Sequence, residues 1–272
     1  MRIHIEHETT YAYDEPVSYS IQALRMRPLD TPGQRIVNWS VEVPQHATMR
    51  EQRDVYGNVL QMLYVERPHR EIKIRVSGNA ETTELHGIVA SPVEHFPPRF
   101  YLRKTPLTET NGPLNDLAKA ALGGSDGTQL DLAHCLMHKV RDHLDYMIGE
   151  TDATTTAAQA LAKGSGVCQD HAHVFIATAR ELGIPARYVS GYLWTEAGGQ
   201  GEAAHAWAEA FVDDLGWVGF DVANRICPTA AHLRVASGLD YLEAAPIRGL
   251  RRGGGQETLD VRVHVAESGA QQ

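Results

Sequence analysis

The chain has 272 residues, with 25 Lys+Arg against 34 Asp+Glu for a formal charge of -9, and 43% of its residues are apolar. At roughly 150 residues per domain this length accommodates two domains, each able to bury its own core, so a globular α/β or α+β protein is the default. The acidic balance and the lack of any run of five Lys/Arg exclude a dedicated nucleic-acid binder, and no stretch approaches the ~18 apolar residues of a membrane span.

The first ~85 residues read as β. Ile3 and Ile5 alternate with His4 and Glu6, Tyr11 and Tyr13 continue the period of two, and Val37, Trp39, Val41 and Val43 repeat it before Pro44. Tyr56-Gly57-Asn58-Val59 reads as a turn between the polar run Met49 to Asp54 and the apolar strand Leu60 to Val65, and Ile72, Ile74 and Val76 form one more strand. An antiparallel domain over 1–90 is expected. The opening MRIHIEHETTYAY has no apolar h-region or cleavage site, so no signal peptide is read there. Residues 91–113 carry five prolines, at 92, 97, 98, 106 and 113, which predicts a connection into a second domain over 114–272 with a C-terminal β tail.

Helical spacing begins after that connection. Leu114, Leu117, Ala118 and Ala121 form one apolar face, Leu130, Ala133, Leu136, Met137 and Val140 a longer one, and Thr154-Thr155-Thr156 offers an N-cap for a short helix closed by Gly164. Val174, Phe175, Thr178, Ala179 and Leu182 then define an amphipathic helix stopped by Gly183 and Pro185. Cys168 therefore lies at a helix N-terminus entered through Gly164-Ser165-Gly166. There the free backbone N–H groups and the positive end of the helix dipole favour a thiolate and could receive an oxyanion. A small buried residue at a helix start would leave the same trace, so a partner base has to decide.

Three cysteines, Cys135, Cys168 and Cys227, lie 33 and 59 positions apart. That spacing is neither a disulfide framework nor a CxxC zinc pair, and it fits a reducing, cytoplasmic compartment. His171 and His173 follow Cys168, but about 200° separates i from i+2 on a helix, so the pair does not converge on a metal. Cys135, on an apolar helix face, and Cys227, before Pro228, read as structural.

Two strands downstream supply the base and its orienting acid. Ala204 to Val212 alternates, with His205, Trp207, Glu209 and Phe211 on one face and alanines on the other, and Trp217 to Val222 returns with Asp221 embedded in apolar sequence. The loop parity matters. An even hairpin loop sets His205 and Asp221 on opposite faces, whereas an odd loop with Phe211 opposite Trp217 sets Trp207 opposite Asp221 and His205 diagonally beside it. A catalytic pair predicts the odd loop. Cys168, His205 and Asp221 then supply the nucleophile, the general base and acid, and the carboxylate that orients the imidazole.

The segments Gly166-Val167-Cys168-Gln169-Asp170-His171-Ala172, Leu182 to Tyr192, Ala204-His205-Ala206-Trp207 and Gly219-Phe220-Asp221 resemble the core of the bacterial transglutaminase-like family, in that family's order of Cys, His, Asp. Thr9-Tyr11-Tyr13, Asp54-Tyr56-Gly57-Asn58, Tyr241 and the run Arg251-Arg252-Gly253-Gly254-Gly255 extend the resemblance over nearly the whole chain. It implies an α+β protein in which an N-terminal antiparallel β domain precedes a papain-like core, performing cofactor-independent acyl transfer or amide hydrolysis with Cys168, His205 and Asp221. Asp170 matches a recurrent family position. It either ties down a nearby loop or simply complements the helix dipole. Tyr146 falls where this superfamily can place a side-chain donor to the oxyanion, and Trp207 either shields the triad from water or is simply core.

The expected function is thiol-dependent hydrolysis or transfer at a peptide or protein amide. Hydrolysis is favoured because nothing in the sequence shows how water would be excluded. The loop Thr195 to Ala203, with three glycines, reads as a lid or as a plain hairpin connection. A catalytically silent peptide-binding module on the same fold is the reading from another class, and metal-assisted hydrolysis is the competing enzyme class. Proteins of this family also resemble components of peptide-processing systems that include ATP-grasp ligase-like partners.

Overall fold

A computed structural model describes residues 1–90, 95–196 and 204–268. The first part of the chain forms five strands, β1 (Arg2–Leu24), β2 (Gln34–Glu42), β3 (Thr48–Arg53), β4 (Val59–Val65) and β5 (His69–Thr82). Two 3-10 turns, Pro98–Leu102 and Pro106–Thr108, occupy the proline-rich connection. Proline suits both, because it supplies the fixed φ of a first helical position and has no N–H to satisfy. The second part follows as α1 (Gly112–Leu122), α2 (Gln129–His143), β6 (Asp145–Tyr146), α3 (Ala157–Lys163), β7 (Ser165–Gly166), α4 (Cys168–Glu181), β8 (Ala186–Leu193), β9 (Ala204–Val212), β10 (Gly216–Phe220), β11 (His232–Gly238) and α5 (Tyr241–Ala244). The chain ends in β12 (Ile247–Gly253) and β13 (Glu257–Glu267).

β1 organises the first sheet. Its first half lies between β5 and β13 and its second half between β4 and β12, with the register breaking between Ala12 and Val17, around Pro16. The two last strands, which the sequence attached as a tail to the second half, are thus hydrogen-bonded into the sheet built by the first. Gly253, Gly254 and Gly255 all take positive φ between them, a conformation that side chains with a Cβ resist, and so turn β12 into β13.

The second sheet runs β10-β9-β8-β11, all antiparallel. Ala206, Ala208 and Ala210 of β9 face α4 and pack with Phe175, Phe220 and Val222 in the main core. Small side chains there let helix and strand approach closely. Every residue of α4 from Asp170 to Arg180 is buried, so its polar side chains need internal partners. Arg180 meets that need by donating to the carbonyls of Tyr101, Ala186 and Leu239 and to Thr108 Oγ1 at 2.7–3.1 Å.

The opposite face of this sheet is covered by the β-rich unit. Ile3, Ile5, Ala80, Val263 and Val265 pack against Tyr192, Leu233 and Val235. Each Ile, Leu or Val among them taken fully out of water contributes roughly 1.5–3 kcal/mol. The turn at Asp54 to Asn58 adds a polar joint: Asp54 Oδ1 accepts the N–H groups of Tyr56 and Asn58, and the Asn58 amide pairs with both the C=O and the N–H of Ser237. Residues 87–89 run along the outer side of β10, with Val89 N–H donating to Trp217 and Gly219 N–H donating to Gly87, which covers that strand edge.

Candidate active site

Cys168 is the first residue of α4 and is half-buried. Asp170, at the third helical position, reaches back to accept the Val167 N–H at 2.8 Å, and the N–H groups of Asp170 and His171 turn onto the Val167 carbonyl. The first-turn N–H groups of Cys168 and Gln169 have no carbonyl of the helix to bond, which is the arrangement an oxyanion needs. A Cβ on Gly166 would lie 2.5 Å from the Asp170 carboxylate, so glycine two residues before Cys168 is what lets Asp170 fold back.

Asp170 does more than complement the dipole. Its Oδ2 also accepts from Thr151 Oγ1 at 2.6 Å, tying the 147–156 segment to the nucleophile turn. Burial pushes its carboxyl up, against the lowering effect of these two hydrogen bonds. Asp170→Ala is expected to cost about 1 kcal/mol, as loss of an N-terminal cap typically does. Chemical unfolding would measure it, and an unchanged midpoint would contradict the assignment.

The β9–β10 hairpin has the odd loop that a His205–Asp221 contact requires. Phe211 pairs with Trp217 and Phe220 with Ala208, and three residues, 213 to 215, bridge Val212 and Gly216. Asp214 and Gly216 adopt left-handed φ there, as a three-residue hairpin demands. Extended by one position, this register sets Asp221 opposite Trp207, and His205 Nε2 lies 2.8 Å from Asp221 Oδ2. The other ring nitrogen, Nδ1, is left free of Asp221, and the Cys168 side chain acts on the same imidazole.

Electrostatics follow from this packing. Burial alone would lower His205, but the Asp221 and Cys168 interactions outweigh it and raise the imidazole from 6.5 to about 10. Asp221 is wholly buried, which would raise it, yet hydrogen bonds from His205 and His232 hold it well below the usual carboxylate range. The site therefore favours a charged imidazole facing a charged carboxylate.

Two further partners of Asp221, His232 and Asn224, were not readable from the sequence. His232 Nε2 lies 3.0 Å from Asp221 Oδ2, Asn224 Nδ2 donates to the same oxygen at 2.7 Å, and Asn224 N–H donates to Oδ1 at 3.3 Å. Asn224 carries the faint signal of an amide three residues beyond the acid. His232 carries none, being one of 14 histidines brought in only by the β8–β11 pairing.

His205, Asp221 and His232 offer nitrogen and oxygen atoms within 4.8 Å of one another, a spacing that a metal could use. The hydrogen bonding argues otherwise. Thr229 N–H donates to His232 Nδ1 at 3.0 Å, so the proton of a neutral ring sits on Nε2, which donates to Asp221 and has no lone pair to offer. The other sequence candidates diverge as their helical spacing implies. His171 contacts the carbonyls of Val167 and Leu144, whereas His173 Nε2 accepts from Tyr241 N–H.

Trp207 is buried, tilted against His205 at 6.3 Å and edge-on to His232 at 5.4 Å between ring centroids. It forms one wall of the candidate site. Tyr146, on β6, pairs with Gly166 of β7 and packs its ring 6.1 Å from that of His171. It thus lies beside the nucleophile turn, two residues upstream of Cys168 in register. Most of the Thr195 to Ala203 loop, residues 197–203, lies outside the described residues.

Two family models match this chain: the transglutaminase-like superfamily over residues 116–222 and the bacterial transglutaminase-like N-terminal region over residues 3–81. Uncharacterized protein ML0607 of Mycobacterium leprae is 29% identical, covering 97% of this chain and 98% of its own. A protein-glutamine gamma-glutamyltransferase of Pseudomonas aeruginosa is 32% identical over 102 residues, which is 32% of this chain and 15% of that enzyme. Among solved structures, a protein of Cytophaga hutchinsonii described as a "Putative Cysteine Protease" superposes with a TM-score of 0.77 at 22% identity, covering 98% of this chain and 90% of that one. At that identity the likeness establishes a shared fold.

Proposed function

We propose, for a chain that belongs to the transglutaminase-like superfamily and carries its bacterial N-terminal region, a cysteine-dependent enzyme that cleaves or transfers the acyl group of a peptide or protein amide. The observation that carries this reading is the buried His205–Asp221 pair at 2.8 Å beside the half-buried Cys168 at a helix N-terminus, whose side chain acts on the same imidazole.

In the forward half-reaction Cys168 Sγ attacks the amide carbon, and its proton resides on His205. The carbonyl oxygen becomes an oxyanion at the N–H groups of Cys168 and Gln169, with Tyr146 the nearby candidate for a side-chain donor. Collapse breaks the C–N bond, and His205 gives its proton to the departing amine. The thioester is then attacked by water or by a primary amine, with His205 accepting the attacker's proton, and Cys168 leaves as thiolate. Asp221 stays ionised throughout and stabilises the imidazolium. We favour water as the acceptor, because Cys168 is half-buried rather than sealed off from solvent.

Selective alkylation tests the nucleophile without knowledge of the substrate. Iodoacetamide at pH 7, with peptide mapping, is expected to modify Cys168 at least about tenfold faster than Cys135 or Cys227, since an imidazolium and a helix N-terminus both favour the thiolate. Burial pushes the Cys227 thiol up, away from reactivity. Equal rates at the three cysteines would instead favour a silent binding module. Glutamine-amide and isopeptide substrates, with and without a primary amine, then separate hydrolysis from transfer by product mass.

A further inference from the structure

The second histidine on Asp221 is unexplained by the three-residue mechanism. His232 is 6% exposed, and its side chain is held at both ends, by Thr229 N–H on Nδ1 and by Asp221 Oδ2 on Nε2. Asp221 Oδ2 therefore receives three donors, from His205, His232 and Asn224, at 2.8, 3.0 and 2.7 Å. A carboxylate oxygen met from three directions cannot rotate without breaking at least one bond. The direction from which it meets His205 is thereby fixed, which matters because a productive imidazole needs one tautomer and one orientation.

We propose that His232 is a positioning residue that holds Asp221 against His205 through their shared oxygen, so that the reactivity of Cys168 depends on a side chain that never touches it. This rests on the Cys168 reading above. The Thr229 contact makes the assignment specific: it fixes the His232 tautomer from the far side, so the ring acts on Asp221 only as a donor. Behind the ring lies a cavity of about 90 Å³ between the two units, lined by Trp207, Glu209, Thr229, His232 and Arg234 together with residues of the 83–90 segment.

The charged and titratable groups around this unit are Asp221 on the strand continuation, His205 and Glu209 on β9, Arg234 on β11, Cys168 on α4 and Glu84, which accepts from Ala230 N–H. Arg234, at 2.7 Å, and Arg187 of β8, at 2.5 Å, both pair with Glu209 and not with Asp221. Asp221 is thus the group to which His232 couples directly.

Two conservative substitutions separate holding Asp221 from merely filling space. His232→Gln places an amide N–H near the Nε2 position and keeps the donor to Asp221, whereas His232→Asn reaches only the Nδ1 position and keeps the Thr229 contact. The rate of Cys168 alkylation by iodoacetamide is measured from pH 4 to 9 in the full chain, with Cys135 as internal reference and thermal melting as the check on folding. His232→Gln is expected to follow the wild type within about threefold. His232→Asn is expected to lose about tenfold across the plateau of the profile, as Asp221 no longer holds the imidazole in one orientation. Superimposable profiles for all three proteins, or a greater loss in His232→Gln, would overturn the assignment. Equal loss in both variants would also overturn it, assigning the effect to packing. Should wild-type Cys168 show no preference over Cys135, the triad reading itself fails.

Discussion

Replacing Cys168 by alanine is expected to lower kcat/KM by at least about 10⁴-fold while leaving the fold intact. The size follows from what the proposed mechanism would lose: the attacking atom, the thioester intermediate and the proton that His205 cycles would disappear together, and removal of a nucleophile that works as part of a unit costs about as much as removal of the unit. The fold should persist because Cys168 is half-buried and lies at the edge of the main core, not within it, and alanine is tolerated at a first helical position. Turnover of a glutamine-amide or isopeptide substrate, compared with the melting temperature of the same preparation, checks both halves. Product formation at the wild-type rate would remove the covalent mechanism altogether.

Glu209→Ala is expected to destabilise the protein by about 3–5 kcal/mol, the cost of breaking a buried ion pair from one side. Glu209 is fully buried, and it is held by Arg187 Nε at 2.5 Å and by Arg234 Nε at 2.7 Å. Arg187 is itself buried and lies 3.9 Å over the Trp217 ring, so it cannot swing into water when its carboxylate is removed. Burial would raise Glu209, but the two guanidinium groups outweigh it and hold the carboxyl below 4.5. A group depressed on folding stabilises the native state above its unfolded value and loses that contribution as pH falls through the folded value. The stability gap between wild type and Glu209→Ala should therefore be full at pH 7 and narrow under acid. A melting-temperature loss of about 10 °C at pH 7 is the scale for a chain of this size, and a loss within 2 °C, by the same scaling, would show that the two arginines find water or another partner.

Local pattern was enough to nominate the three principal residues of the candidate site. Cys168 was marked by glycines before it and apolar periodicity after it, and both signals describe one turn of chain. His205 and Asp221 were marked by strict alternation in β9 and by a lone acid in β10, and their face was reduced to the parity of one loop. The pairing of Phe211 with Trp217 answers that question because a single unpaired residue inverts every side chain. Asp170 was visible as a first-turn acid, but its hold on Thr151 was not, since 19 positions separate them and no periodicity links the two.

The sequence by itself determined helices α1 to α4, the α+β class, the helix terminus that carries the thiol and the alternation that puts a histidine and an acid on adjacent strands. These depend on interactions within a few residues, where period and capping residues carry the information. Only the tertiary structure decided that β12 and β13 return to β1, that Arg187 and Arg234 share Glu209, and that His232 arrives at Asp221 by way of the β8–β11 pairing. Alternation states which face a strand buries but not which strand lies beside it. Partner choice is set by the fit of whole surfaces, and so His232 came to Asp221 through packing that no single segment encodes.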